Sequence, residues 1–231
     1  MEIVIVGGPH SGVGKTLAAE RALQALVGLG YGAIKLTVAD GEFDRPHDRG
    51  MCGRGASCGV CETVHRALPA RILTAGGAIG KAGTDTCRLR DAGAISVAWV
   101  IALREAAPDA VDGALAYLAR NGARGAVIEG TTALAWMRPR ASVLVACDPG
   151  KRWKRVAVEN LLAFDIVLRN DIPSPPGDVP APANFARTNP LACDLSDASE
   201  AGTREFQRRL RSLCAAGEGA FTANSGASPV A

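Results

Sequence analysis

The chain predicts an α/β protein, a mostly parallel sheet with helices on both of its faces. Three observations support that class. Short, nearly continuous apolar runs recur along the sequence, stretches with helical character separate them, and Gly30, Gly93 and Gly122 fall where helices would end. A parallel strand covered on both faces needs apolar side chains at nearly every position, which is the pattern of these runs.

The first strand is expected at 2–6 (EIVIV), followed by a helix at 15–29 whose Leu17, Ala18, Ala22, Ala25, Leu26 and Leu29 recur at helical spacing. Strands follow at 32–38 (GAIKLTV) and 71–74 (RILT), and a helix at 85–92. The next strand is expected at 95–101 (ISVAWVI), a helix at 108–120, and strands at 125–129 (GAVIE) and 142–147 (SVLVAC). A helix at 151–163 and a strand at 165–169 (DIVLR) complete the alternation. Sheets of this kind collect ligands at the carboxyl ends of their strands, so polar residues just after Val6, Val38, Ile128, Cys147 and Leu168 share one edge. Residues 1–171 therefore read as one domain, 172–196 as a proline-rich linker, 197–216 as a charged C-terminal helix and 217–231 as a disordered tail.

At 231 residues the chain can bury a full core, and with 48% hydrophobic but only 4% aromatic residues that core must be built from Ala, Val, Leu and Ile. A net charge of +3 is too weak a bias to indicate nucleic acid. The N-terminus enters its first strand without a signal-peptide pattern, and no apolar run approaches the roughly 18 residues of a membrane helix. Seven cysteines, an odd number, suit thiols or metal ligands better than disulfides. The expectation is a soluble cytoplasmic protein with no membrane partner.

Residues 8–16 read GPHSGVGKT between the first strand and the first helix, which is the context of a phosphate-binding loop. Gly12 and Gly14 let the backbone curl so that successive N–H groups, including those of Val13 and Leu17, can meet one anion. Lys15 can reach the outer phosphates, the Thr16 hydroxyl is placed to ligate Mg²⁺, and the helix adds its positive dipole end. In the G-x-x-x-x-G-K-[ST] form the first glycine falls on Pro9, with Gly8 one residue early. A carboxylate at Glu129, ending a buried strand, is costly unless a cation or hydrogen bonds compensate it. That points to a metal role, with a helix-start acid as the alternative. Asn170 and Asp171, after the last strand, stand where base-reading residues would, although an Asn-Asp pair is also common turn chemistry.

With AIKLTVADGEFDRP (33–46), GKAGTDTCRLRDAGA (80–94) and VIEG (127–130), the sequence resembles the MobB-type accessory proteins of molybdopterin guanine dinucleotide synthesis. The likeness runs over about 1–171 and is interrupted at 47–70 by a Cys-rich insertion. It implies a SIMIBI-type P-loop fold, GTP with Mg²⁺, and a homodimer. It also implies that Lys15 and Thr16 hold phosphate and magnesium, that Asp85 and Thr86 lie near the terminal phosphate or the metal, and that Glu129 joins the magnesium shell. Asp40 and Asp44 could orient water or a metal-bound ligand, or serve as turn acids.

The insertion HDRGMCGRGASCGVCETVH (47–65) has no counterpart in those proteins. Cys52, Cys58 and Cys61, at C-x₅-C-x₂-C spacing among glycines, can wrap one Zn²⁺ or an iron–sulfur cluster such as [4Fe–4S]. His47, His65 or Cys87 could supply a fourth ligand; a redox pair Cys58–Cys61 and incidental loop cysteines are the alternatives. Cys147 reads as a small core residue, His10 as a loop residue able to touch phosphate, and Lys151 to Arg155 as a basic cluster at the ligand edge.

The function expected is a GTP-binding, slowly hydrolysing accessory NTPase of molybdenum or tungsten cofactor maturation, working beside a cofactor-synthesis enzyme. Lys15, Asp85 and Glu129 would carry its chemistry. Two alternatives are an ATP-dependent carboxylate-activating ligase resembling dethiobiotin synthetase or cobyrinate amidases, and a nucleotide-switched metallochaperone.

Overall fold

Val4 and Val6 pack into one layer of helices while Ile3 and Ile5 pack into the other, because successive side chains of a strand leave on opposite faces. This two-sided burial explains the unbroken apolar run of the first strand, β1 (Glu2–Gly7). In the computed structural model the described residues are 1–39, 63–147, 152–170 and 179–215. The sites expected at Asp40, Asp44, His47, Cys52, Cys58, Cys61, Lys151 and Asp171, and the tail 217–231, lie outside them.

The chain continues through α1 (Lys15–Ala25), β2 (Tyr31–Ala39), β3 (Ala70–Leu73), a four-residue α2 (Gly77–Gly80) and α3 (Asp85–Asp91). It goes on through β4 (Val97–Leu103), α4 (Ala107–Arg120), β5 (Gly125–Glu129), β6 (Ala141–Ala146) and α5 (Arg155–Glu159). It ends with β7 (Ile166–Asn170), β8 (Leu191–Cys193) and α6 (Ala201–Ala215). The eight strands form one sheet in the order β3-β4-β2-β5-β1-β6-β7-β8. Every pairing is parallel except that of β3 with β4, which caps one edge in the antiparallel sense. The expected α/β class with a mostly parallel sheet and two helical layers is what the structure has.

One layer holds α1, α3 and α6, which place Ala18, Ala22, Leu23, Leu89, Phe206 and Leu210 against the sheet. The other holds α4 and α5 with Val111, Ala114, Leu118 and Ala157. Alanine lines much of both contacts, as the low aromatic content requires. No helix among the described residues is long and apolar enough to cross a membrane.

Several elements differ from expectation. The first helix, expected to run to residue 29, ends at Ala25 with Leu26 as its C-cap. The helix expected at 151–163 is confined to Arg155–Glu159, because Asn160 turns its side-chain amide back onto the Val156 carbonyl at 2.8 Å and a 3₁₀ turn follows. The strand expected at 95–101 runs two residues later, at Val97–Leu103. The stretch read as linker contains β8, whose residues pair with β7 as Leu168↔Leu191 and Asn170↔Cys193. That strand brings α6 onto the core. The start of α6 is capped by Glu200, whose carboxylate accepts from the Gly202 and Thr203 amides at 2.8 Å each; these bonds hold its carboxyl below the usual carboxylate range.

Candidate functional site

The site is assembled where β1 and β5 end, beside the middle of β2. Between β1 and α1 the chain turns through Gly12 (φ 86°) and Gly14 (φ 96°), left-handed conformations that glycine adopts without strain. At Gly14 the requirement is doubled, since a Cβ would lie 2.5 Å from the Asn170 side-chain nitrogen. The turn is held from outside. The Thr131 hydroxyl accepts from the Gly8 amide and donates to the Gly8 carbonyl, both at 2.8 Å. The Lys154 amide donates to the Pro9 carbonyl at 2.9 Å, and the Asn170 side chain donates to the Val13 carbonyl at 3.0 Å. In a trans peptide the carbonyl and the following N–H point opposite ways. Anchoring Pro9 and Val13 through their carbonyls therefore directs the His10 and Gly14 amides away from those anchors. Lys15 reaches back over the turn, donating to the His10 carbonyl at 2.6 Å.

Sheet register supplies the rest. Glu129 sits beside Val6 on β1 and directly opposite Lys35 on β2. Lys35 shares its face with Tyr31 and Ala33, and Glu129 with Val127, so both side chains enter the layer that contains α1. Glu129 is 2% exposed and Lys35 is 7% exposed, so neither is solvated. Their charges compensate each other instead: Lys35 Nζ lies 2.6 Å from Glu129 Oε1 and 2.7 Å from Asp85 Oδ2. The Thr16 hydroxyl donates toward Glu129, 3.1 Å from each carboxylate oxygen. Asp85 opens α3, where the positive helix end favours it, behind the cap that Thr84 makes to the Cys87 amide at 3.3 Å. One turn further along the same helix Arg88 pairs with Glu20 of α1.

Thr16, Asp85 and Glu129 are thus brought together, with Lys15 next to Thr16 on the turn. Lys35 joins them, a residue whose role the sequence reading did not identify. The signal was present in the sequence as a lysine interrupting an apolar strand on the same parity as the buried Ala33. Asn170, 6% exposed, is at the site but uses its amide on the loop: it donates to Val13 and accepts from the Leu195 amide at 3.5 Å. Val13 is buried and Leu17 partly so. His10 is buried with Nδ1 2.9 Å from the Ser11 carbonyl oxygen and Nε2 3.9 Å from Cys147 Sγ. Trp153, from the expected basic cluster, turns inward and meets Phe185 edge-on at 5.5 Å between ring centroids.

Cys87 is buried on α3, donating to Asp91 Oδ2 at 3.4 Å and accepting from Arg90 Nη2 at 3.2 Å. Burial and the Asp91 hydrogen bond push its thiol pKa up, which favours the protonated form. Among the described residues no group of three or more His, Cys, Asp and Glu side chains is arranged to hold a metal ion. The Thr16 hydroxyl beside the Glu129 carboxylate is a hard, oxygen-only donor set with few protein ligands, and that chemistry fits Mg²⁺ bound jointly with phosphate. Comparison of the chain with protein-family models, curated proteins and solved structures gives no match.

Proposed function

We propose that this chain is a P-loop nucleotide-binding protein of the SIMIBI type that takes GTP with Mg²⁺ and hydrolyses it slowly. In this reading it acts as an accessory factor in maturation of a molybdenum or tungsten cofactor, beside a cofactor-synthesis enzyme. The observation that carries the reading is the Thr16 hydroxyl, next to Lys15 on a glycine turn, donating to the buried carboxylate of Glu129 at the carboxyl edge of a parallel sheet.

Each residue has a distinct task. The turn amides and the Lys15 ammonium face the phosphate chain and stabilise the charge that develops on the transferred phosphoryl group. Thr16 and Glu129 would hold Mg²⁺, with Asp85 close by through Lys35. The bound metal supplies charge neutralisation to the outer phosphate oxygens. Asn170 fixes the Val13–Gly14 peptide and stands on the side where the base would lie. GTP is preferred over ATP by the family resemblance. Cys52, Cys58 and Cys61 are assigned zinc or an iron–sulfur cluster, with iron, sulfide and zinc analysis of anaerobically purified protein as the check.

Calorimetric titration of the full chain with GTP and with ATP, each with Mg²⁺ and again with EDTA, tests the central part. The expected result is one site per chain, tighter for GTP, weakened about tenfold or more by EDTA. Absence of binding by either nucleotide at millimolar concentration would remove the proposal.

A further inference from the structure

Lys35 stands out among the described charged groups, since a lysine buried within a sheet has to be compensated. Its position is set by backbone register: opposite Glu129, on the face that carries Thr16, and within reach of the start of α3. Both oxygens of Glu129 already have donors, one of them shared between Lys35 and Thr16. A hydroxyl gives way to a metal by rotating. An ammonium cannot, because its charge repels the cation and must be taken up by another anion.

We propose that Lys35 is a displaceable counter-ion that admits a divalent cation to Glu129 only together with a phosphate chain. Before ligand arrives, the ammonium neutralises Glu129 and tethers Asp85 at 2.7 Å. A lone dication would meet that ammonium within contact distance of the carboxylate it needs. A nucleotide changes the balance, because its terminal phosphate offers Lys35 a new anionic partner and its flexible four-carbon stem lets the head group swing. Lys35 is therefore a positioning residue that orders binding, and the metal enters as a nucleotide complex. The inference rests on the assignment of Thr16 and Glu129 to the metal. It differs from a purely structural salt bridge in sign, since removal of a structural bridge would weaken ligand binding, whereas removal of a guarding ammonium strengthens binding of metal alone.

The test uses Mn²⁺ and the full chain without nucleotide, reading free Mn²⁺ by electron paramagnetic resonance. Lys35→Met is expected to bind Mn²⁺ about tenfold tighter than wild type, and adding Glu129→Gln is expected to abolish the gain. Lys35→Met leaves two carboxylates without their cation, so Lys35→Met combined with Asp85→Asn serves as the second variant. It keeps the net charge of the wild-type trio and is expected to bind about threefold tighter. Mn²⁺ affinity equal to or below wild type in the folded variants would overturn the proposal. Failure of wild type to bind GTP would sink the proposed function, yet leave the Mn²⁺ comparison readable.

Discussion

Replacing Lys15 with alanine is expected to weaken nucleotide binding by about 100-fold or more while the fold is retained. The magnitude follows from the loss of charge-assisted hydrogen bonds to phosphate, each worth about 1.5–3 kcal/mol when its partner is ionised. Two such bonds correspond to a factor of at least a hundred. The fold survives because Lys15 is only partly buried and its bond to the His10 carbonyl, at 2.6 Å, lies within the turn itself. Gly12, Gly14 and the outside anchors Thr131, Lys154 and Asn170 remain. Calorimetric titration of the variant, with circular dichroism to confirm folding, checks both halves. Unchanged GTP affinity in a folded Lys15→Ala protein would remove Lys15 from the phosphate site.

Phe206→Ala is expected to give the largest loss of stability, about 3–5 kcal/mol. Phe206 is fully buried on α6, and it belongs to the same core cluster as Val4, Ala22, Leu168 and Leu195. The melting temperature should fall by on the order of 10 °C, read by calorimetry against wild type. A fall of under about 2 °C would mean that α6 is an appendage, contrary to its place over β7, β8 and α1. A destabilised α6 would also loosen Leu195, whose amide meets Asn170 behind the glycine turn.

Local patterns made much of this architecture legible. The run EIVIV, the glycine turn and the alanine-rich helix announced β1, the loop and α1 in order, because each depends on neighbours within a few residues. Glu129 was legible for a related reason: a carboxylate closing an apolar strand asks for a cation. Lys35 was not assigned, since its partner is 94 positions away and is chosen by strand register. Asn170 was read as a base-side residue, and its contact with Val13, 157 positions distant, appears only when β7 is placed near β1 across β6. β8 was hidden by the prolines that precede it: three residues with little intrinsic strand character become a strand because β7 offers them an open edge. Cys87 was grouped with the Cys-rich segment by chain proximity to Asp85; its contacts with Asp91 and Arg90 follow from its place on α3, and Cys52, Cys58 and Cys61 lie outside the described residues.

The most direct measurement is a crystal structure of the full chain grown with Mg²⁺ and a non-hydrolysable GTP analogue. The expected result is a phosphate chain against the amides of residues 12–16, with the metal beside the Thr16 hydroxyl and Glu129 behind it. Nucleotide bound at another surface, or a saturated crystal in which residues 12–16 contact no phosphate, would contradict it.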